Sequence, residues 1–523
     1  MHHPKVVEPS PNWLCKKCGH SFTAFNDAPL PSLPEHLLGS NSPPSAQELL
    51  NIHHSAPSVQ DLTNLDKEIE SLQRMLHLLS IRRAEMETCL RLRRSVLSPL
   101  RRVPPEIIAD IIRWAIRLGA GGKLEDVTLD AKRGLWAYSH VCQLWRSITL
   151  YTPSYWTKLS IVFGPYFNAD TATVTKCIET MLSRSQNHTL SFRFAYYDPA
   201  GNGLCTRFTA ARSLRLLIQC APRWREALFT IPTDFFFSLR LVKNRIPNLE
   251  SLGLEFLGEL EGDYPGGDYF RTAPALRKLS FASELVLTER FQLPWSQITE
   301  YKASYMGDLF ALKSMSSLLS LELSEMQPEE EWGHVELTRL RRLKALDSTS
   351  VISSLILPAL QEMIVCAESE ELESMIDLIE RSECRITTLA FQQTWELEYR
   401  ADEYLLLEFF RLLPILLVLD LSRDAQSNIM AYCNTLMSAA DSNIDVFPLL
   451  TELILPPMHD CDWVRTVLVS FLQRRISPQS ISPTTCTVKR VVFAGEPESL
   501  WPEMESLHRD GLQILFRPEI GGF

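Results

Sequence analysis

The apolar positions from Leu62 to Leu79 form a heptad seam. Leu62, Leu65, Ile69, Leu72, Leu76 and Leu79 alternate steps of three and four, which keeps them on one stripe of a helix. Arg83 interrupts the seam, Met86 and Leu90 resume it, and Arg93 interrupts it again. No proline or glycine lies between Ser58 and Ser98, so the pattern predicts one long helix over 59–97. Such a stripe can meet another chain in a short coiled coil or dock on its own chain, and three clean heptads leave both open. Ahead of it, residues 1–58 are rich in Pro, Ser and Asn without a sustained apolar period. They are expected to be a largely disordered leader.

Ser98-Pro99 ends the long helix, and Pro104-Pro105-Glu106 opens another. Proline is tolerated in a first helical turn, and a carboxylate there suits the positive end of the helix. Ile107, Ile108, Ile111, Ile112 and Ala115 fall on one apolar face. A glycine-rich interruption and a polar insert run to Arg133. A further helix then carries Trp136, Ser139, Val141, Cys142, Trp145 and Ile148. Residues 98–160 are therefore expected to form a compact all-helical unit.

In the C-terminal half one short phrase recurs, a proline or its equivalent, then a leucine anchor, then a Leu-x-Leu strand. The anchors are Leu249, Leu276, Leu318, Leu340, Leu360, Leu416 and Leu449, with Ile298 and Ile386 filling two gaps. Most steps are near the 20–29 residues typical of leucine-rich repeats. Each copy offers a strand whose alternate residues face inward, followed by a stretch able to form a helix; Glu370 to Ile379 and Tyr404 to Leu413 are the clearest. One copy cannot bury its apolar face alone, so stacking into an irregular α/β solenoid with a parallel sheet is expected over 161–523. Leu159 to Phe163 and Thr189 to Tyr196 are strand-like pieces that can begin the stack. The outward strand positions Glu250, Arg277, Glu322, Lys344, Gln361 and Glu452 are mixed in sign.

Composition narrows the function classes. A chain of 523 residues exceeds one hydrophobic core, and 45% hydrophobic with 22% charged residues is ordinary for a globular protein. The net charge of -11 argues against a surface built throughout for nucleic acid. Arginines do cluster at 82, 83, 91, 93, 94, 101 and 102, but few aromatics are interleaved and Glu85 and Glu87 dilute them. The most apolar window, Tyr404 to Leu421, contains Glu408, Arg411 and Pro414, so no membrane span is expected. Scattered cysteines and the lack of a secretory pattern behind Met1 point to a reducing, intracellular compartment, cytoplasmic or nuclear.

The run Leu97-Ser98-Pro99-Leu100-Arg101-Arg102-Val103-Pro104-Pro105-Glu106-Ile107-Ile108 resembles an F-box. So do Ser139-His140-Val141-Cys142-Gln143-Leu144-Trp145-Arg146 and the closing Thr152-Pro153 and Tyr155-Trp156. The layout is similar to the F-box proteins abundant in mushroom-forming (basidiomycete) fungi, in which a heptad-like helix precedes the box. Val103 stands where leucine is usual, Ile112 where phenylalanine is common, and the spacer is longer than in animal F-boxes. The resemblance implies binding to the Skp adaptor and, through it, to a cullin–RING ubiquitin ligase. The carried-over adaptor contacts are Val103, Pro104, Ile107, Ile108, Ile111, Val141, Cys142 and Trp145, apolar anchors of the kind that fill a groove. In that family the solenoid holds the protein substrate, here of unknown identity. The rival expectation is a scaffold whose box no longer binds the adaptor.

Neither a phosphate-cradling glycine loop, a nucleophile elbow nor a His-Glu-x-x-His helix occurs, so no catalytic role and no cofactor are expected. Cys15-Lys16-Lys17-Cys18-Gly19 has the shape of half a zinc knuckle, with His20 as a further donor. A structural site needs four ligands, however, and two free thiols are the plain alternative.

Overall fold

The structure is a computed structural model. It describes residues 13–14, 21–22, 32–39, 41–56, 59–119, 129, 133–164, 170–197, 204–257, 267–282, 291–304, 310–324, 333–346, 348–366, 368–392, 402–424, 426–441, 446–456, 462–476, 488–494 and 502–517. The chain divides into two compact units, Met1–Pro104 and Pro105–Phe523.

In the first unit, Trp13–Leu14 pairs antiparallel with Ser21–Phe22, and Ala46–Ser55 is a helix. Its start is a capping box: the Glu48 amide donates to Ser45 Oγ, and the Ser45 amide donates to Glu48 Oε2 at 2.8 Å. This helix lies within the stretch expected to be a largely disordered leader, much of which is outside the described residues. The Ser-x-x-Glu signal at Ser45 starts a helix that the proline-rich composition obscured. Val59–Val96 is a single helix of 38 residues, and a 3-10 turn, Pro99–Arg102, follows it. Along the helix the seam Leu62, Leu65, Ile69, Leu72, Leu76 and Leu79 is between 38% and 66% exposed.

The second unit is mixed α/β. It opens with the helices Pro105–Gly119, Gly134–Tyr138 and Gln143–Tyr151 and the 3-10 turn Pro153–Thr157. Among the described residues, fourteen strands then form one parallel sheet. The first seven are β1 (Lys158–Phe163), β2 (Leu190–Tyr196), β3 (Trp224–Pro232), β4 (Ser251–Leu257), β5 (Lys278–Ala282), β6 (Glu300–Ser304) and β7 (Ser320–Ser324). The rest are β8 (Arg342–Leu346), β9 (Glu362–Val365), β10 (Thr388–Gln392), β11 (Val418–Arg423), β12 (Glu452–Leu455), β13 (Arg490–Ala494) and β14 (Gln513–Arg517). Their order in the sheet is their order in the chain. β1 begins at Lys158, so the sheet starts inside the stretch expected to be all-helical, and both belong to one compact unit.

A recurring turn sets the register. The amides of Leu249, Leu276, Ile298, Leu318, Leu340, Leu360, Leu416 and Leu450 each donate to the carbonyl three residues earlier. Each of these side chains is fully buried. Just after the anchor, one carbonyl accepts two amides from the next strand's start: Arg277 O from Thr299 and Glu300, Thr299 O from Leu319 and Ser320, Leu319 O from Arg341 and Arg342. Arg341, Gln361, Thr387, Leu417 and Thr451 continue this ladder. The backbone polar groups between strands are thus paired without side chains, as a buried edge requires. The anchor expected at Leu449 is corrected to Leu450, which is fully buried while Leu449 is half-buried.

From β5 to β11, buried residues alternate along each strand with half-exposed ones, so one face of the sheet is covered and the other open. Helix Glu403–Arg411 packs on the covered face, where the Phe409 and Phe410 rings lie 6.4 Å from that of Phe391. Tyr432, from helix Gln426–Asp441, stacks on Phe391 at 4.6 Å. The helices expected at Glu370 and Tyr404 span Ser369–Ser382 and Glu403–Arg411.

Candidate partner-binding surfaces

Helix Pro105–Gly119 packs against both Gly134–Tyr138 and Gln143–Tyr151. Its isoleucines divide into two stripes. Ile108 and Ile112, one turn apart, are 0% exposed, whereas Ile107 is 50% and Ile111 41% exposed, with Trp114 continuing the outer stripe. The inner stripe is fixed by the aromatic turn that closes this segment. Tyr155 Oη donates to the Ala109 carbonyl at 2.7 Å, and burial pushes its phenol above the ordinary range. Trp156 is enclosed, with Nε1 donating to the Thr149 carbonyl at 2.8 Å. Its ring meets that of Trp136 edge-on at 5.2 Å, and the Arg184 guanidinium lies over both rings, 4.5 Å and 4.9 Å from their centroids. Burial, and then the neighbouring Arg146, hold the Arg184 pKa below its usual value. A desolvated cation over aromatic faces ties this helical segment to helix Thr171–Arg184.

The residues expected to grip an adaptor are therefore not all on one surface. Ile107, Ile111, Val141 and Cys142 are exposed, Val141 at 59%. Trp145 is half-buried with its ring 6.2 Å from Tyr138. Ile108 is a correction: it is core, because its position one residue from Ile107 turns it toward the inner stripe. Val103, half-buried, and Pro104, exposed, end the first unit, while Ile107 onward belong to the second. Sequence reasoning passed over Trp114, Leu144 and Tyr151, all exposed. Trp114 had a signal, since it lies seven residues after Ile107 on the same helical stripe.

The open sheet face is a second surface, and its charges pair across strands. Lys278 meets Glu300 at 2.8 Å, Arg342 meets Glu362 at 2.5 Å, and Arg490 meets Glu452 at 2.8 Å. Glu322 accepts from Lys302 at 3.1 Å and Lys344 at 2.9 Å. Burial opposes ionisation of Glu322, yet the two ammonium groups hold its pKa below the ordinary range. Of the mixed-sign positions noted in the sequence, Arg277 donates to the Pro274 and Leu276 carbonyls, whereas Glu322, Lys344 and Glu452 stand in such one-strand-apart ion pairs. Beside them a notch of about 280 Å³ is lined by Leu228, Glu255, Ser280, Lys302, Ser304 and Ser324. Gly253 opens this face to Leu228, since a Cβ there would sit 2.3 Å from Leu228 Cδ1.

Cys15, Cys18 and His20 lie outside the described residues. Among the described residues no cluster of three metal-ligating side chains occurs, and no helix is long and apolar enough to cross a membrane. No family model and no curated protein matches the chain.

Proposed function

We propose that this chain is the substrate-recognition, F-box subunit of an SCF-type cullin–RING ubiquitin ligase. In this reading the helical segment that follows Pro105 binds the Skp adaptor, and a leucine-rich-repeat solenoid presents a protein target on its open sheet face. Catalysis belongs to other subunits, and the chain contributes by holding the target near the charged enzyme.

One observation carries the adaptor reading. A helical segment with a well-filled core of its own still leaves Ile107, Ile111 and Val141 in solvent, which is the arrangement of anchors for a partner's groove. The solenoid reading is supported by the buried anchor and carbonyl ladder that recur at strand after strand, and by sheet order equal to chain order.

The test is co-purification of the full chain with the Skp adaptor. Wild type is expected to capture the adaptor, and the double variant Ile107→Asp with Ile111→Asp to lose it while keeping its circular dichroism spectrum. If the folded wild type captures no adaptor, the chain is a scaffold instead.

A further inference from the structure

The helix Val59–Val96 carries an unpartnered stripe, and its charges say what fits it. With Leu62 at the first seam position of a heptad, Leu62, Ile69, Leu76, Arg83 and Leu90 fill one set of seam positions. Leu65, Leu72, Leu79, Met86 and Arg93 fill the other. The first half of the helix holds Asp61, Asp66, Glu68 and Glu70 against Lys67 and Arg74. The second half holds Arg82, Arg83, Arg91, Arg93 and Arg94 against Glu85 and Glu87.

We propose that this stripe is the seam of an antiparallel coiled coil between two copies of this chain. A parallel pair would set Arg83 against Arg83 and Arg93 against Arg93 within the seam and stack the basic halves together. Like charges at seam positions oppose association. Reversing one copy, with Leu76 beside Leu79 of the other, removes both clashes. Arg83 then falls over Leu72 of the second copy, within reach of Glu68 there. Arg93 falls over Leu62, within reach of Asp66. Each arginine stem lies along a leucine while its guanidinium reaches an acid at the seam's edge. The remaining layers join Ile69 to Met86, Leu76 to Leu79 and Leu90 to Leu65. At 1.5 Å per residue, the seam from Leu62 to Arg93 within this 38-residue helix runs about 47 Å. This is ample for a two-stranded coiled coil, and the inference stands independently of adaptor binding.

Light scattering on the full chain tests it. The expected mass is twice the 59.7 kDa of one chain. Leu72→Asp with Leu76→Asp, on the seam, should halve that mass. Leu78→Asp with Leu92→Asp replaces exposed leucines that lie off the seam and should leave it unchanged. A monomer at every concentration, or equal dissociation by both double variants, would overturn the proposal. Orientation is read by a carboxylate-reactive dihydrazide crosslinker and mass spectrometry. Asp66 and Glu87 are about 32 Å apart on one helix, so a link between them requires antiparallel copies. Links joining Asp66 only to Asp66, and Glu87 only to Glu87, would instead show a parallel pair and overturn it.

Discussion

Lys344 Nζ donates to Glu322 Oε1 at 2.9 Å across neighbouring strands β8 and β7, and Lys302 of β6 reaches the same oxygen. One carboxylate thus bridges three consecutive strands. Because its folded pKa is lowered, the bridge stabilises the fold above the unfolded carboxylate value, about 4.3, and is lost as pH falls through the folded value. Glu322→Gln should destabilise the protein by about 1 kcal/mol or less at pH 7. The gap from wild type should close as denaturant melts are repeated at progressively lower pH, below about 4. A gap that widens on acidification would contradict the assignment.

The two isoleucine stripes predict opposite phenotypes. Ile112→Ala empties a fully buried site and should cost about 2–5 kcal/mol in urea denaturation. Ile111→Ala, on the outer stripe, should stay within about 0.5 kcal/mol of wild type yet weaken adaptor capture. Equal losses of stability would mean that the outer stripe is also core.

Trp156, packed on Trp136, joins the helical segment to helix Thr171–Arg184 through the Arg184 guanidinium. Trp156→Ala should cost about 3–5 kcal/mol. Arg184→Met should cost less, since it removes the cation while keeping an apolar stem beside the rings. Thermal melts of both variants would rank them.

Tyr432 and Asn428 both donate to the buried Asp424 carboxylate, and burial together with Asp424 pushes the Tyr432 phenol well up. Tyr432→Phe leaves that carboxylate one donor short and should cost about 1–3 kcal/mol. Calorimetry of the variant is the measurement.

Thiol reactivity should divide sharply. Burial pushes Cys433 up to about 12, and Cys177 and Cys384 to about 11, whereas Cys89 and Cys142 are exposed. Brief alkylation of the native protein should modify Cys89 and Cys142 and spare Cys433, since only the thiolate reacts. Peptide mass spectrometry would show Cys433 alkylated only after denaturation.

Much of the sheet was legible because each anchor must be buried whatever surrounds it. Ile298 and Ile386, placed from spacing alone, are buried as their leucine counterparts are. Pro448-Leu449-Leu450 misled by one residue because it holds two adjacent leucines. Spacing does not choose between them; the pairing of Glu452 with Val418 does. Strand β3 begins at Trp224, a fully buried anchor in Ala221-Pro222-Arg223-Trp224 whose amide donates to the Ala221 carbonyl, so the phrase was present with tryptophan in the leucine's place. β13 and β14 follow Val488 and Leu512 with no proline two residues before them, so that signal did not mark them. Among the surface candidates, Ile107 and Ile108 are indistinguishable by helical period. Only the tertiary position of the aromatic turn after Gln143–Tyr151 puts one inside and the other out.

Because sheet order equals chain order, the first and last strands never meet. Among the described residues no pairing closes the sheet on itself, so the fold has no geometrically fixed size. A whole turn, strand and connection could be spliced in or cut out, and the disturbance would stop at the two neighbours. Under tension such a fold should peel from its ends inward, releasing one strand at a time.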